Sequence, residues 1–480
     1  MYYKDGNQIL SVFELDFDST GALGQNSLAA GNNTLAAGLS STATGWNTYA
    51  GAAFTFTEGA DTIAIGENSH AEGLKNMSVG QASHTEGMRN TAEGKNSHLE
   101  GLKNHTSTNA VNSHVEGSYN NCRSSNTHIE GMWNVAIGSA AHAHIEGEEN
   151  ITDAINSHIE GSKNTVSGSY VDSEGKTRYS ENVHIEGNNN TATTSSATQV
   201  AKNAHLEGAN NTVTAENAHV EGTNNSVKGK NGHAEGSNNT IGTGAENAHA
   251  GGTNSVANGA NSFVHGNRSK TWTAGGIAIG TNQFSRQNSA VSIGHSAQYV
   301  EDLKDAAGNK ITVDTNDNVN SIHTAFTSLT EGNRFSAAIG PGAVSLGNSN
   351  VAHKGISLGY ENYANGTNTH FGVAIGSSNI AKGQNTVAIG KGNKATVTNQ
   401  QAFGVYNRTN NDAIYMVGHG TATESANAFI IDTNNNGRYR GSLYVNADIS
   451  GNNGKRVATE EYVDNHVIIM SEDYIRELFA

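Results

Sequence analysis

The 480-residue sequence has one cysteine and one proline. A single thiol, Cys122, excludes an internal disulfide framework and a multi-cysteine zinc site. A single proline excludes a polyproline linker, and glycine at 57 residues is far below the one in three of a collagen repeat. Aromatic residues make up 6%, charged residues 15% and hydrophobic residues 35% of the chain. Such a chain does not build one large aliphatic and aromatic core. It must bury small residues in a narrow, regular stack. Positive charge is also short: 28 Lys and Arg against 44 Asp and Glu give −16 with His neutral. That balance argues against non-specific nucleic-acid binding and against anionic membrane surfaces. No run approaches the ~18 apolar residues of a spanning helix, so membrane insertion is not expected. The opening MYYKDGNQILSVFELDFDST lacks a basic stretch followed by an apolar one, so no secretion signal is read there.

What is abundant is repetition. Glycines stand seven apart at Gly24, Gly31, Gly38 and Gly45, and again from Gly66 through Gly73, Gly80, Gly87, Gly94 and Gly101. Every second beat carries His-x-Glu-Gly. The pairs are His70 and Glu72, His84 and Glu86, His98 and Glu100, His114 and Glu116, His128 and Glu130, and His144 and Glu146. They continue with His158 and Glu160, His184 and Glu186, His205 and Glu207, His219 and Glu221, and His233 and Glu235. A degenerate copy follows at His249, where Gly251 replaces the acid. Later copies put apolar residues in the same frame, as in Ile277–Gly280, Val373–Gly376 and Val387–Gly390.

Parity identifies a strand. Side chains alternate with period two, so His98 and Glu100 share one face while Leu99 lies on the other. The residue between His and Glu is apolar in most copies, including Val115, Ile129, Ile145, Ile159 and Ile185, and must face a packed interior. Spacings of 14 or 16 residues keep this parity. Seven residues give a short strand and a corner, and two such units give one coil. Stacked coils form an all-β parallel solenoid. Its interior is thin, which points to oligomerisation.

The runs DTIAIGENSHAEG (61–73) and NTVAIGKGNKA (385–395) resemble the YadA-type head repeat of trimeric autotransporter adhesins. The resemblance implies a left-handed parallel β-roll with three chains side by side. The SHxEG variant, as in Ser69–Gly73, Ser83–Gly87 and Ser113–Gly117, also resembles repeats of phage-borne structural proteins. The segment GKRVATEEYVDN (454–465) resembles tail-proximal segments of phage fibre and appendage proteins. No secretion signal, long coiled-coil stalk or terminal membrane barrel of the bacterial adhesins is read in these residues, so a departure from that family is expected.

These readings divide the chain into an N-terminal attachment segment (1–20), the β-roll (21–395), a small C-terminal β domain (396–450) and a helical segment (451–480). Insertions interrupt the roll at 168–183, 190–202 and 297–332. The last of these, with Tyr299, Lys304, Lys310 and Phe326, is the expected host-contact element. Tyr474, Ile475, Leu478 and Phe479 form the apolar face of a short terminal helix expected to serve assembly.

The His-x-Glu series admits several chemistries. Both residue types ligate metals, but isolated pairs are weak evidence, and no metal or cofactor is assigned. Equivalent copies do not make one preorganised catalytic site, so no catalytic residue is assigned and no enzyme activity is expected. Apolar residues replace His and Glu in the same register, which suggests a chain-to-chain contact. The ladder is therefore expected at the interface of a homotrimer, with a plainly solvated face as the competing reading. The expectation is a structural fibre or appendage of a bacteriophage virion, assembled in the host cytoplasm. Its partners would be other virion proteins at a capsid or tail attachment site and a host-surface glycan or protein. A bacterial trimeric surface adhesin is the alternative, and a β-helical carbohydrate-active enzyme a distant one.

Overall fold

A computed structural model describes residues 2–4, 7–9, 21–299, 334–339, 341–353, 355–365 and 371–440. Lys304, Lys310, Phe326 and the terminal residues Tyr474, Ile475, Leu478 and Phe479 lie outside them. Two compact units are present, Met1–Gly266 and Asn267–Ala480.

The first unit is a parallel β-solenoid of two sheets. One sheet holds the His-bearing strands, from His70–Ala71 to His249–Thr253. The other holds the intervening strands, such as Met77–Ser78, Thr91–Ala92 and Val256–Ala257. Each strand pairs in parallel with its equivalent one coil on, so that His128 lies against His144 and Ile129 against Ile145. The insertion at 168–183 leaves this register intact. Its strands Ser169–Val171 and Thr177–Tyr179 form an antiparallel hairpin, while Ile159 still pairs with Ile185. The insertion at 190–202 is absorbed in the same way, with His184 on His205.

The corners follow from residue chemistry. In most copies the residue two before the ladder His is an Asn in the left-handed conformation, which Asn tolerates better than most residues; Ala82 and His142 take its place before His84 and His144. Asn203, Asn217 and Asn231 have φ of 50°, 54° and 54°. Their amides also join coil to coil, Asn203 Nδ2 donating to Asn217 Oδ1 at 3.0 Å and Asn217 Nδ2 to Asn231 Oδ1 at 2.9 Å. The repeat glycine is required by close approach as well as by φ. A Cβ on Gly147, whose φ is +111°, would lie 1.9 Å from the carbonyl oxygen of Gly161.

The interior matches the parity reading. Leu99, Val115, Ile129, Ile145, Ile159, Ile185, Leu206 and Val220 are fully buried. Each Leu, Ile or Val contributes roughly 1.5–3 kcal/mol by leaving water. The opposing sheet supplies smaller inward residues, among them Ala92, Cys122, Ala136 and Thr152. Burial pushes the Cys122 thiol pKa up, so this cysteine packs as a small hydrophobe rather than reacting.

The second unit repeats the parallel pattern. Val373–Gly376 pairs in register with Val387–Gly390, and Val291 pairs with Val344 across the long insertion. Parallel pairing does not stop at Ala395. Gln401–Val405 stacks on Val387–Lys391 and Ala413–His419 stacks on Gln401–Val405. Only then do the antiparallel strands Asn427–Asp432 and Gly437–Tyr439 follow. Among the described residues no helix is long and apolar enough to cross a membrane.

Candidate functional site

In-register parallel pairing places identical side chains one above another at the strand spacing of about 4.8 Å. The outward histidines therefore stack. Successive rings from His70 to His233 have centroids 4.6–5.0 Å apart and lie within 21° of parallel. Phe56 closes one end of the stack, edge-on to His70 at 4.7 Å.

Glutamates run beside the rings. The closest approaches are within one strand: His144 Nε2 to Glu146 at 3.0 Å, His158 to Glu160 at 2.9 Å, His184 to Glu186 at 3.0 Å and His219 to Glu221 at 3.0 Å. Nearer the start of the ladder the carboxylate lies between coils, Glu72 being 3.7 Å from His70 and 4.0 Å from His84. His and Glu thus approach one another on the outward face of the single chain. The face is half-exposed there, with 40% of the His158 and 45% of the Glu160 side chain reaching solvent.

Stacking has an electrostatic consequence. Partial burial and then the neighbouring imidazoles hold the pKa values of His98, His128 and His205 below the usual imidazole value, against the raising effect of the glutamates. His84 shifts the same way, by burial and then by His70. At these four positions a neighbouring ring about 5 Å away disfavours the second positive charge.

A second column escaped the sequence reading. Three residues beyond the repeat glycine stands a buried asparagine: Asn104, Asn120, Asn134, Asn150, Asn164, Asn190, Asn211, Asn225 and Asn239. Asn134 is representative. Its Nδ2 donates to the carbonyl oxygens of Glu130 at 2.9 Å and Gly147 at 2.8 Å. Its Oδ1 accepts from the backbone N–H of Asn150 at 3.0 Å. One side chain therefore satisfies corner groups of two coils. The signal was available in the sequence as the spacing His-x-Glu-Gly-x-x-Asn.

Tyr299, expected on the host-contact insertion, is instead 8% exposed and packs with Phe284, Phe335, Ile339, Val351 and Tyr363. The Arg268 guanidinium lies 5.0 Å from its ring centroid. An apolar ring beside this cluster gains more from burial than from display, so Tyr299 is core rather than contact surface. Exposed aromatic groups occur elsewhere. Trp133 stacks on Tyr119 at 4.3 Å beside Lys103, and Trp272 carries Lys270 at 4.2 Å and Arg286 at 5.0 Å from its centroid.

No family model matches the chain, and no curated protein matches it.

Proposed function

We propose that the chain is a homotrimeric structural fibre or appendage protein of a bacteriophage virion, attaching the particle to a host surface. The observation that carries the oligomeric part is the outer face of the second unit. Val373, Ile375, Val387 and Ile389 are only half-buried, while the residues between them, Ala374 and Ala388, fill the interior. Aliphatic columns on the outside of an otherwise polar coil are surfaces that gain from meeting their own copies. The His and Glu columns of the first unit occupy the equivalent register in their own repeats and would give that unit a polar contact of its own. Buried polar pairs of this kind fix register more than they add stability.

The phage assignment rests on the SHxEG repeats and the segment at 454–465. The repeats at 61–73 and 385–395 favour a bacterial trimeric adhesin as the second reading. Either way the protein is read as a non-enzymatic spacer and contact surface. Three copies of a weak receptor-binding segment in one oligomer would gain avidity. The insertion at 297–332 holds that role here, through Lys304, Lys310 and Phe326. The test is to label the protein with antibody on purified particles of a candidate phage and on host cells in electron micrographs. Virion labelling supports the first reading. Labelling of the uninfected bacterial surface moves the assignment to the second.

A further inference from the structure

The His ladder ends abnormally, and its end has the makings of a cation site. Between His233 and His249 the ring planes turn from nearly parallel to 89°. The turn coincides with two substitutions. Gly251 replaces the glutamate of its own copy, and His265 occupies the glutamate position of the next, Phe263-Val-His-Gly266. His249 now stacks on Phe263 at 4.6 Å. Its Nε2 is buried without a hydrogen-bond partner.

The result is a convergence of three donors. Glu235 Oε1 lies 3.6 Å from His249 Nε2 and 3.6 Å from His265 Nδ1. All three ligand atoms lie within 4.8 Å of one another. A tetrahedral ion bound at 2.0–2.2 Å separates its ligands by about 3.3–3.6 Å. The space between the donors is the space Gly251 leaves. A Cβ there would stand 2.4 Å from His265 Nδ1 and 3.0 Å from both Glu235 Oε1 and His249 Nε2. Elsewhere the glutamate of the same copy fills this position. Other His and Glu groups of the ladder also come within 4.8 Å of one another, but their rings remain stacked.

The geometry points to a divalent transition-metal site formed by Glu235, His249 and His265, of the borderline class that includes Zn²⁺, Co²⁺ and Ni²⁺. Two imidazoles and one carboxylate suit these ions better than Mg²⁺ or Ca²⁺, which prefer all-oxygen shells. Three protein ligands leave a fourth position for water or a further donor. In the single chain the His265 side chain is 49% exposed, so an ion can enter the site before chains associate. The ion would tie three successive coils together where the imidazole stack stops. Of the three residues only Glu235 belongs to a His-x-Glu pair, and the inference does not depend on the phage reading.

The experiment titrates the metal-stripped full-length protein with Zn²⁺ by calorimetry and with Co²⁺ by visible absorption. One ion per chain is expected, with the intense visible bands of tetrahedral Co²⁺ and a Zn²⁺-dependent rise in melting temperature. Gly251→Ala removes no ligand but fills the ion's place, and Gly251 lies outside the left-handed region, so its backbone accepts alanine. It should weaken binding by at least the 10–100-fold typical of a lost supporting residue. His265→Gln should do the same, and as a change at a half-exposed side chain it decides the matter should Gly251→Ala fold poorly. Glu72→Gln, in a separate part of the ladder, should bind as the parent does. Absence of binding by the parent would overturn the site. So would parent-like affinity in His265→Gln, or several ions per chain insensitive to that variant, which would assign binding to the ladder at large.

Discussion

The coils from His98 to Gly222 and those from Gly372 to Gly390 use the same strand-and-corner unit and divide their apolar side chains in opposite ways. In the first, Leu99, Val115, Ile129, Ile145, Ile159, Ile185, Leu206 and Val220 point inward, and His and Glu point outward. In the second, Ala374 and Ala388 point inward, and Val373, Ile375, Val387 and Ile389 point outward. The first has its hydrophobic driving force inside one chain. The second has moved much of it to the surface, where it acts only when another chain covers it. A solenoid whose interior is limited to two facing strands can therefore tune self-sufficiency against association by exchanging residues across a single strand.

The largest expected effect follows from the outward column. Changing Val373, Ile375, Val387 and Ile389 together to Ser should abolish stable association of the second unit, read as a loss of the oligomer in sedimentation velocity. An unchanged oligomer would place the contact elsewhere.

The inward columns sharpen the comparison from the other side. Ile145→Ala should cost about 2–5 kcal/mol, because fixed coils on both sides keep the cavity from closing. Ala388→Leu should cost about 1–3 kcal/mol by overpacking a fully buried column of alanines. Thermal or chemical denaturation with matched m-values checks both. A neutral Ala388→Leu would mean that the second interior has room to spare and that its alanines are not a packing limit.

The buried asparagine column predicts a cost smaller than that of Ile145→Ala and similar to that of Ala388→Leu. Asn134→Ala leaves the Asn150 N–H and the Glu130 and Gly147 carbonyls without their side-chain partner. About 1–3 kcal/mol is expected for such stranded groups. Asn134→Asp should not rescue it, since a carboxylate cannot donate to the two carbonyls.

The smallest effect is graded and depends on pH. The folded-state pKa values of His84, His98, His128 and His205 lie below the ordinary imidazole value. The unfolded chain therefore binds more protons as pH falls through about 6.5. Stability is full above that range and declines below it, before the glutamates themselves titrate. Melting temperature measured from pH 8 to pH 5 should fall along the lower half of this range. Replacing His84, His98, His128 and His205 by Ala should flatten the curve. An equal slope in the quadruple variant would show that these histidines do not govern it.

Much of this architecture is legible in the sequence because a parallel, in-register stack makes every coil repeat its neighbour. The inward Ile and Leu, the outward His and Glu and the glycine corners all follow from parity and period. The asparagine column was equally periodic, but Asn is common in turns, and its burial depends on a hydrogen-bond geometry that spacing does not reveal. The position of Tyr299 was not legible because it lies where the period is broken, and its packing partners are distant in sequence. The convergence of Glu235, His249 and His265 was hidden for a different reason. It arises from a missing side chain, Gly251, and a histidine in the wrong half of the motif, which a search for the repeat discards as degeneracy.

The central claim is that outward aliphatic columns make this chain an oligomer of three. Analytical ultracentrifugation of the full-length protein at neutral pH tests it most directly. The account predicts a single species at three times the 50.0 kDa chain mass. A folded, thermally stable species at one chain mass would contradict it.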